Sequence, residues 1–246
     1  MDVRDKVAIV TGGGTGIGRA TALLLARKGA AVAVNYSRSE DEAAATARDI
    51  ETAGGRAIAV RANVSQEGQV RAMVAAVVDR FGGVDLLVNN AATTRYIAMD
   101  DLDGVDDDVW DTIFAVNVKG AFYCARAVAP HMRTRGGGAI VTIGSVAGFT
   151  GDGSSLPYAV SKAAIIGLTR SLARALAPEI RVSSVAPGIV ETRWVAGREE
   201  HVRRLSASSL LQRTATPDDI AEAVCALLSQ DAMTGQTVVV DGGVVL

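Results

Sequence analysis

Tyr158 and Lys162 are four residues apart, the spacing that puts two side chains on one face of a helix. Taken alone, such a pair is an ordinary exposed tyrosine beside a solvated lysine. Here Pro157 can set a helix start just before it, and the apolar run Ala139–Ile143 ends just ahead of Ser145. In a parallel sheet the C-terminal strand ends form the ligand crevice, which is where Ser145 would lie. A phenol beside an ammonium suits acid–base work on an oxygen anion, as when a carbonyl takes up hydride and must be protonated. Tyrosine, with an ordinary pKa of ~10, is a poor acid–base group near neutrality; a nearby ammonium favours its phenolate, and a hundredfold gain in acidity corresponds to ~2.7 kcal/mol.

The second chemical signal is Thr11-Gly12-Gly13-Gly14-Thr15-Gly16-Ile17-Gly18-Arg19, which follows an apolar run and leads into an amphipathic stretch. Glycines permit a tight turn and close backbone approach to a pyrophosphate, whose charge meets the helix N-terminus. The order run, turn, helix raises phosphate binding above a merely structural turn. A triphosphate P-loop is disfavoured, because Arg19-Ala20 stands where Gly-Lys-Ser/Thr would be needed.

These residues need a frame, and the chain supplies one. Apolar runs at Val7–Val10, Ala31–Val34, Ala57–Val60, Leu86–Val88, Ala139–Ile143, Val182–Val185 and Thr237–Val240 alternate with helical patterns. The latter are Ile17–Lys28, Glu40–Ala53, Gln69–Phe81, Val109–Met132, Tyr158–Leu176 and Pro217–Leu228. Continuous apolar strands separated by helices predict an α/β Rossmann fold, a doubly wound seven-stranded parallel sheet with helices on both faces. Residues 1–246 are expected to form a single domain. Asp100–Asp108 reads as an acidic solvated loop that favours the start of the next helix. The stretch 189–213, between Pro187-Gly188 and the helix start Thr216-Pro217-Asp218-Asp219, has the length and mixed character of a lid.

Gly12, Gly16 and Gly18 form TGxxxGxG, and with them the chain resembles the short-chain dehydrogenase/reductase family. The resemblance runs from about Lys6 to Gly243. Its other landmarks are Asn89-Asn90-Ala91-Ala92, Asn117, Ser145, Tyr158-Ala159-Val160-Ser161-Lys162, Pro187-Gly188 and Asp241-Gly242-Gly243, all in family order. It implies a catalytic set of Asn117, Ser145, Tyr158 and Lys162. Tyr158 would be the proton carrier, Ser145 would polarise the substrate oxygen, and Lys162 would also hold the nicotinamide ribose. Asn117 would support a water leading to the lysine, unless it only packs within its helix. Cofactor contacts implied are Gly12, Thr15, Gly16, Ile17 and Gly18 at the phosphates, Asn63-Val64 toward adenine and Asn90 near the adenosine-side ribose. Pro187, Gly188, Ile189 and Thr192 would meet the nicotinamide carboxamide. No metal is expected.

The second apolar run ends Val34-Asn35-Tyr36-Ser37-Arg38, with no acid before Glu40. A carboxylate there would favour NAD; Ser37 and Arg38 instead favour the 2′-phosphate of NADP. NADP is therefore the preferred cofactor and NAD the second, since Thr15 stands where many NADP-using relatives carry a basic residue. The branch most resembled is that of the 3-oxoacyl-carrier-protein reductases and glucose dehydrogenases. It implies a small carbonyl or alcohol substrate, with an acyl thioester among the candidates. A sugar or secondary-alcohol dehydrogenase running in reverse is the alternative, and a catalytically silent nucleotide-binding regulator the reading from another class. In the lid, Trp194, Val195, Leu205, Leu210 and Leu211 interleave with Arg193, Arg198, Arg203 and Arg204, which suits an apolar chain with an anionic head or ordinary loop packing equally.

The 246 residues are 49% hydrophobic, enough for one large core, and carry a net charge of −2, which gives no electrostatic reason to bind nucleic acid or an acidic membrane. Cys124 and Cys225 read as two reduced core thiols. Met1–Lys6 shows no signal-peptide core and no apolar stretch reaches spanning length, so a cytoplasmic protein is expected. The family resemblance implies a homotetramer.

Overall fold

The computed structural model describes residues 1–195, 197 and 199–246; Arg198 and the side chain of Leu205, both assigned above to the lid, lie outside the described residues. Seven strands form one all-parallel sheet: β1 (Val7–Val10), β2 (Ala31–Tyr36), β3 (Arg56–Arg61), β4 (Leu86–Asn89), β5 (Gly138–Ile143), β6 (Ile180–Pro187) and β7 (Thr237–Val240). Their spatial order is β3-β2-β1-β4-β5-β6-β7. The order reverses between β1 and β4, so the crevice opens above their C-terminal ends.

Helices cover both faces. On one side α1 (Gly16–Arg27), α2 (Glu40–Thr52) and α9 (Pro217–Ser229) bury Leu25, Ile50 and Ile220 against Ala8, Val10, Val32 and Val88. On the other, α3 (Glu67–Phe81), α5 (Ala121–Thr134) and α7 (Leu156–Leu176) bury Met73, Met132 and Leu172 against Val7, Ile9, Leu87 and Ile140. Alternate residues of the same strands thus serve two cores, which is why the central strands are apolar without interruption. The edge strands β3 and β7 are instead partly exposed.

The remaining helices frame the C-terminal rim: α4 (Asp107–Phe114), the short α6 (Ala147–Thr150) and α8 (Glu199–Ser208). The helix expected as one piece over 109–132 is three pieces. Between α4 and α5 lies a π-helical stretch, Ala115–Gly120, with one residue too many per turn. The acidic loop does favour the helix start: Asp106 caps α4 by accepting from the Val109 amide at 2.9 Å. At α9, Thr216 and Asp219 form a reciprocal capping box.

Opposite the rim, the buried carboxylate of Asp85 ties the sheet together. It accepts from the Val7 amide at 2.8 Å and from Arg135 Nε at 2.8 Å. Among the described residues no helix is long and apolar enough to cross a membrane. Cys124 and Cys225 are buried free thiols.

Candidate active site

The glycine turn is built from three directions. Parallel register puts Val10 beside Val34 and Val88, so the chain leaving β1 passes between the ends of β2 and β4. From β2, buried Asn35 gives its carbonyl oxygen to the Gly12 amide at 3.3 Å, while its amide donates to the Val60 and Ala62 carbonyls. From β4, Asn90 donates to the Thr11 and Gly12 carbonyls at 2.9 and 3.0 Å. Gly12 and Gly16 have φ of 61° and 51°, a region that strongly favours glycine. At Gly18 a Cβ would collide with the Gly12 carbonyl oxygen and the Asn90 amide. Thr15, preceding α1, makes no side-chain cap. The first amides of α1 therefore remain for an anion, and the backbone forms a cradle that a side chain would fill. A dinucleotide pyrophosphate fits this donor set.

Beside the cradle, α7 and the end of β5 bring Ser145, Tyr158 and Lys162 together. Gly148 lets α6 press against α7, since a Cβ there would stand 2.6 Å from the Lys162 backbone. That contact sets Ser145 beside Tyr158. The Lys162 ammonium is buried, donates to the Ile143 carbonyl at 2.9 Å and lies 5.5 Å from the centre of the Tyr158 ring. Burial pushes Lys162 down to about 8 and Tyr158 up to about 12; the Ser145 hydroxyl pulls Tyr158 back, and the negative charge of an ionised Tyr96 would add to the rise. Tyr158 keeps partial exposure, so water in the cleft tempers its rise. The expected phenolate-favouring effect of the ammonium is therefore not what governs Tyr158 in the free protein. Desolvation acts on both groups and favours the neutral phenol.

The glycine turn and the group of Ser145, Tyr158 and Lys162 share one cleft of about 1820 Å³, well beyond the ~300–1,000 Å³ of common ligand pockets. Of the sequence-predicted residues, Gly12, Thr15, Gly16, Ile17, Ser37, Arg38, Asn63, Val64 and Asn90 line it, as do Ser145, Tyr158, Lys162, Pro187, Gly188, Ile189 and Thr192. Gly18 and Asn117 do not. Gly18 sits behind the turn, as its close approach to Gly12 requires. Asn117, in the π-helical stretch, is buried and accepts from the Thr93 amide while donating to the Thr93 carbonyl and to Ser161 Oγ. Its amide is thus spent on the wall of the site. Two of the lining asparagines spend hydrogen bonds on nearby backbone. Asn90 directs its amide at the glycine turn rather than outward, and the Asn63 carbonyl oxygen is taken by the Ser65 amide and hydroxyl in a local turn.

Several lining residues escaped the sequence reading. Asn35 is one; an asparagine inside an apolar strand was the available signal. Tyr96 is another: its hydroxyl donates to the Trp194 carbonyl at 2.7 Å, and the Trp194 ring lies 6.0 Å from that of Tyr158. Thr192 meanwhile packs on Gly16, its methyl 3.1 Å from where a Cβ would be. Finally, Asp241 accepts from the Gly243 and Val245 amides, folding Val244–Leu246 onto the cleft.

Comparison with known proteins agrees with this geometry. Residues 12–245 match the family profile described as enoyl-(acyl carrier protein) reductase. The chain is 41% identical over 243 residues to the protein named ketoacyl reductase 2 of the granaticin polyketide synthase of Streptomyces violaceoruber, covering 96% of this chain and 95% of that one. It is 39% identical over 242 residues to 3-oxoacyl-(acyl-carrier-protein) reductase FabG of Staphylococcus aureus, covering 97% of each. A solved structure described as a short-chain dehydrogenase/reductase from Burkholderia xenovorans superposes with a TM-score of 0.92 at 35% identity, covering 97% of both chains.

Proposed function

The chain belongs to the short-chain dehydrogenase/reductase family, oxidoreductases of C=O and CH–OH groups that use NAD(P), and from that premise we propose that it is an NADP(H)-dependent reductase of ketones such as a 3-oxoacyl thioester. The observation that carries the reading is the placement of the Tyr158 phenol with Ser145 on the cleft wall at the C-terminal rim, the buried Lys162 ammonium 5.5 Å from its ring centre. Reduction of a ketone makes an alkoxide, and a neutral phenol within the site is the acid that can quench it. Held there, a nicotinamide dinucleotide would supply the hydride. Ser145 would hold the substrate oxygen, Tyr158 would give up its proton, and Lys162 would balance the phenolate left behind. The ammonium has so little solvation of its own that a new negative charge nearby is worth more there than in water.

The glycine turn, with the free amides of α1, would hold the pyrophosphate. Pro187, Gly188, Ile189 and Thr192 would line the nicotinamide end; Asn63, Val64 and Asn90 would shape the adenosine end. Asn117 is a positioning residue here, acting through Thr93 and Ser161. NADP preference is supported by Ser37 and Arg38 on the cleft wall, with no carboxylate before Glu40. Residues 189–213 would act as a lid on a single domain spanning 1–246, the Tyr96–Trp194 hydrogen bond being its latch. Exposed Phe122, Phe149 and Val160 on α5, α6 and α7 support burial of these helices in a homotetramer, and a cytoplasmic setting suits the NADPH requirement.

The test is NADPH oxidation with a 3-oxoacyl thioester, measured for the parent protein and for Tyr158→Phe. Loss of about 10²–10⁴-fold in kcat with the NADPH Kd nearly unchanged is expected. Turnover surviving in the phenylalanine variant would refute the role of Tyr158, and faster turnover with NADH would refute the cofactor preference.

A further inference from the structure

Three arginines, Arg38, Arg61 and Arg193, line the same cleft as Ser37 and Ser39 at its β2 end. Arg61 ends the edge strand β3 and Arg38 follows β2. Arg193 comes from the far side: it follows Thr192, which packs on Gly16, and its guanidinium spans the glycine turn toward the start of α2. There Nη1 donates to Ser39 Oγ at 3.2 Å and stands 3.9 Å from Glu42 Oε1. That ion pair is at the outer limit of contact and its side chains are 57% and 50% exposed, so it adds little stability. A guanidinium has five donors in a planar fork suited to phosphate. Arg193 is held in place by one neutral hydroxyl and one loose carboxylate, a partner set that a phosphate can displace without breaking the fold. Thr15, at the head of α1, supplies no charge on that side of the turn.

We infer that Arg193 is a specificity-determining residue, clamping the 2′-phosphate of NADP(H) from the lid while Arg38 meets it from β2. This rests on the cofactor preference proposed above. The phosphate exchanges with Glu42 for the guanidinium, so the group that distinguishes NADP from NAD adds a tie to residues 192–195, which already lie on the cleft. An unphosphorylated ribose offers no charge for Arg193 to close on. The lid then contributes to recognition of the end of the nucleotide remote from the chemistry.

The experiment is calorimetric titration of the full-length protein with NADPH and with NADH, without substrate, for the parent, Arg193→Ala and Glu42→Gln. Arg193→Ala should raise the NADPH Kd on the order of tenfold or more and leave the NADH Kd within about twofold, as loss of a charge-assisted phosphate contact requires. Glu42→Gln removes the competing carboxylate and should tighten NADPH a few-fold, again without effect on NADH. Equal weakening of both nucleotides by Arg193→Ala would overturn the inference, because it would place the guanidinium on the shared pyrophosphate. An unchanged NADPH Kd would overturn it too, and weaker NADPH binding in Glu42→Gln would count against the exchange. A parent protein that binds NADH at least as tightly as NADPH would instead refute the underlying cofactor preference. Arg193 is exposed, so an unchanged unfolding midpoint is expected to show that the variant is folded.

Discussion

Lys162 should make the protein less stable than it would be with a neutral side chain there, and the effect should vary with pH in a specific direction. Burial lowers its pKa from 10.5 to about 8. Below about 8 the ammonium is charged in both folded and unfolded chains, so the whole cost of burying it is present. Between the two values the folded protein sheds the proton while the unfolded chain keeps it, and stability rises with pH; above 10.5 the cost is gone. At ~1.4 kcal/mol for each tenfold change in proton affinity, the penalty near pH 7 is about 3 kcal/mol, and about 2 kcal/mol of it is relieved by about pH 9.5. The hydrogen bond to the Ile143 carbonyl returns ~1 kcal/mol, so Lys162→Met should be stabilised by ~2 kcal/mol near neutrality. Urea unfolding of both proteins without nucleotide, at about pH 7 and about pH 9.5, reads this directly. Subtracting one profile from the other cancels every group the two share. Tyr158 does not interfere: its raised pKa costs stability only as pH climbs from 10.0 toward about 12. Parallel pH profiles, or a methionine variant less stable at neutral pH, would refute the view that burial dominates at this lysine.

Gly18→Ala forces a Cβ onto the Gly12 carbonyl and the Asn90 amide, so overpacking should cost about 1–3 kcal/mol and shift the glycine turn. NADPH affinity measured by titration should drop at least tenfold (on the order of a lost phosphate contact) with far-ultraviolet dichroism unchanged. Asp85→Ala should destabilise by about 3–5 kcal/mol in urea, since it leaves the Val7 amide and Arg135 without their buried partner. Its site lies at the other end of the sheet, so kcat measured well below the melting transition should stay within twofold (about 0.4 kcal/mol). Tyr96→Phe deletes the hydrogen bond to the Trp194 carbonyl; limited proteolysis after Trp194 should speed up and KM should rise a few-fold, by about 1 kcal/mol, with kcat little altered.

The strand pattern was legible because two cores make their demands on alternate residues of the same strand, leaving a run such as Val7–Val10 that reads as a strand with the observed limits. The spacing of Tyr158 and Lys162 on α7 and the position of Ser145 beyond β5 were legible for the same reason: helix and strand periods fix them. What periodicity could not reveal was the extra residue in Ala115–Gly120, because an apolar helical pattern survives one insertion with only a change of phase. Asparagine amides were the other blind spot. Asn35, Asn63, Asn90 and Asn117 all spend hydrogen bonds on nearby backbone, and residue type does not say whether an amide faces a ligand or a carbonyl. The two titrating residues were read by their proximity, whereas burial, which lowers Lys162 and raises Tyr158, opposes ionisation of both.

The π-helical stretch has an implication for how this chain tolerates change. A π-helical turn takes one residue more than an α-helical turn for nearly the same rotation, so excising one residue between Phe114 and Ala121 would leave a regular rod with α5 close to its present phase relative to α4. Val128 and Met132 would still face the core, and Phe122 and Arg126 would still face outward. The loss would be local, with Asn117 carried off Thr93 and Ser161. A library that scans deletions should therefore recover folded variants more often across these six positions than in the flanking turns of α4 and α5.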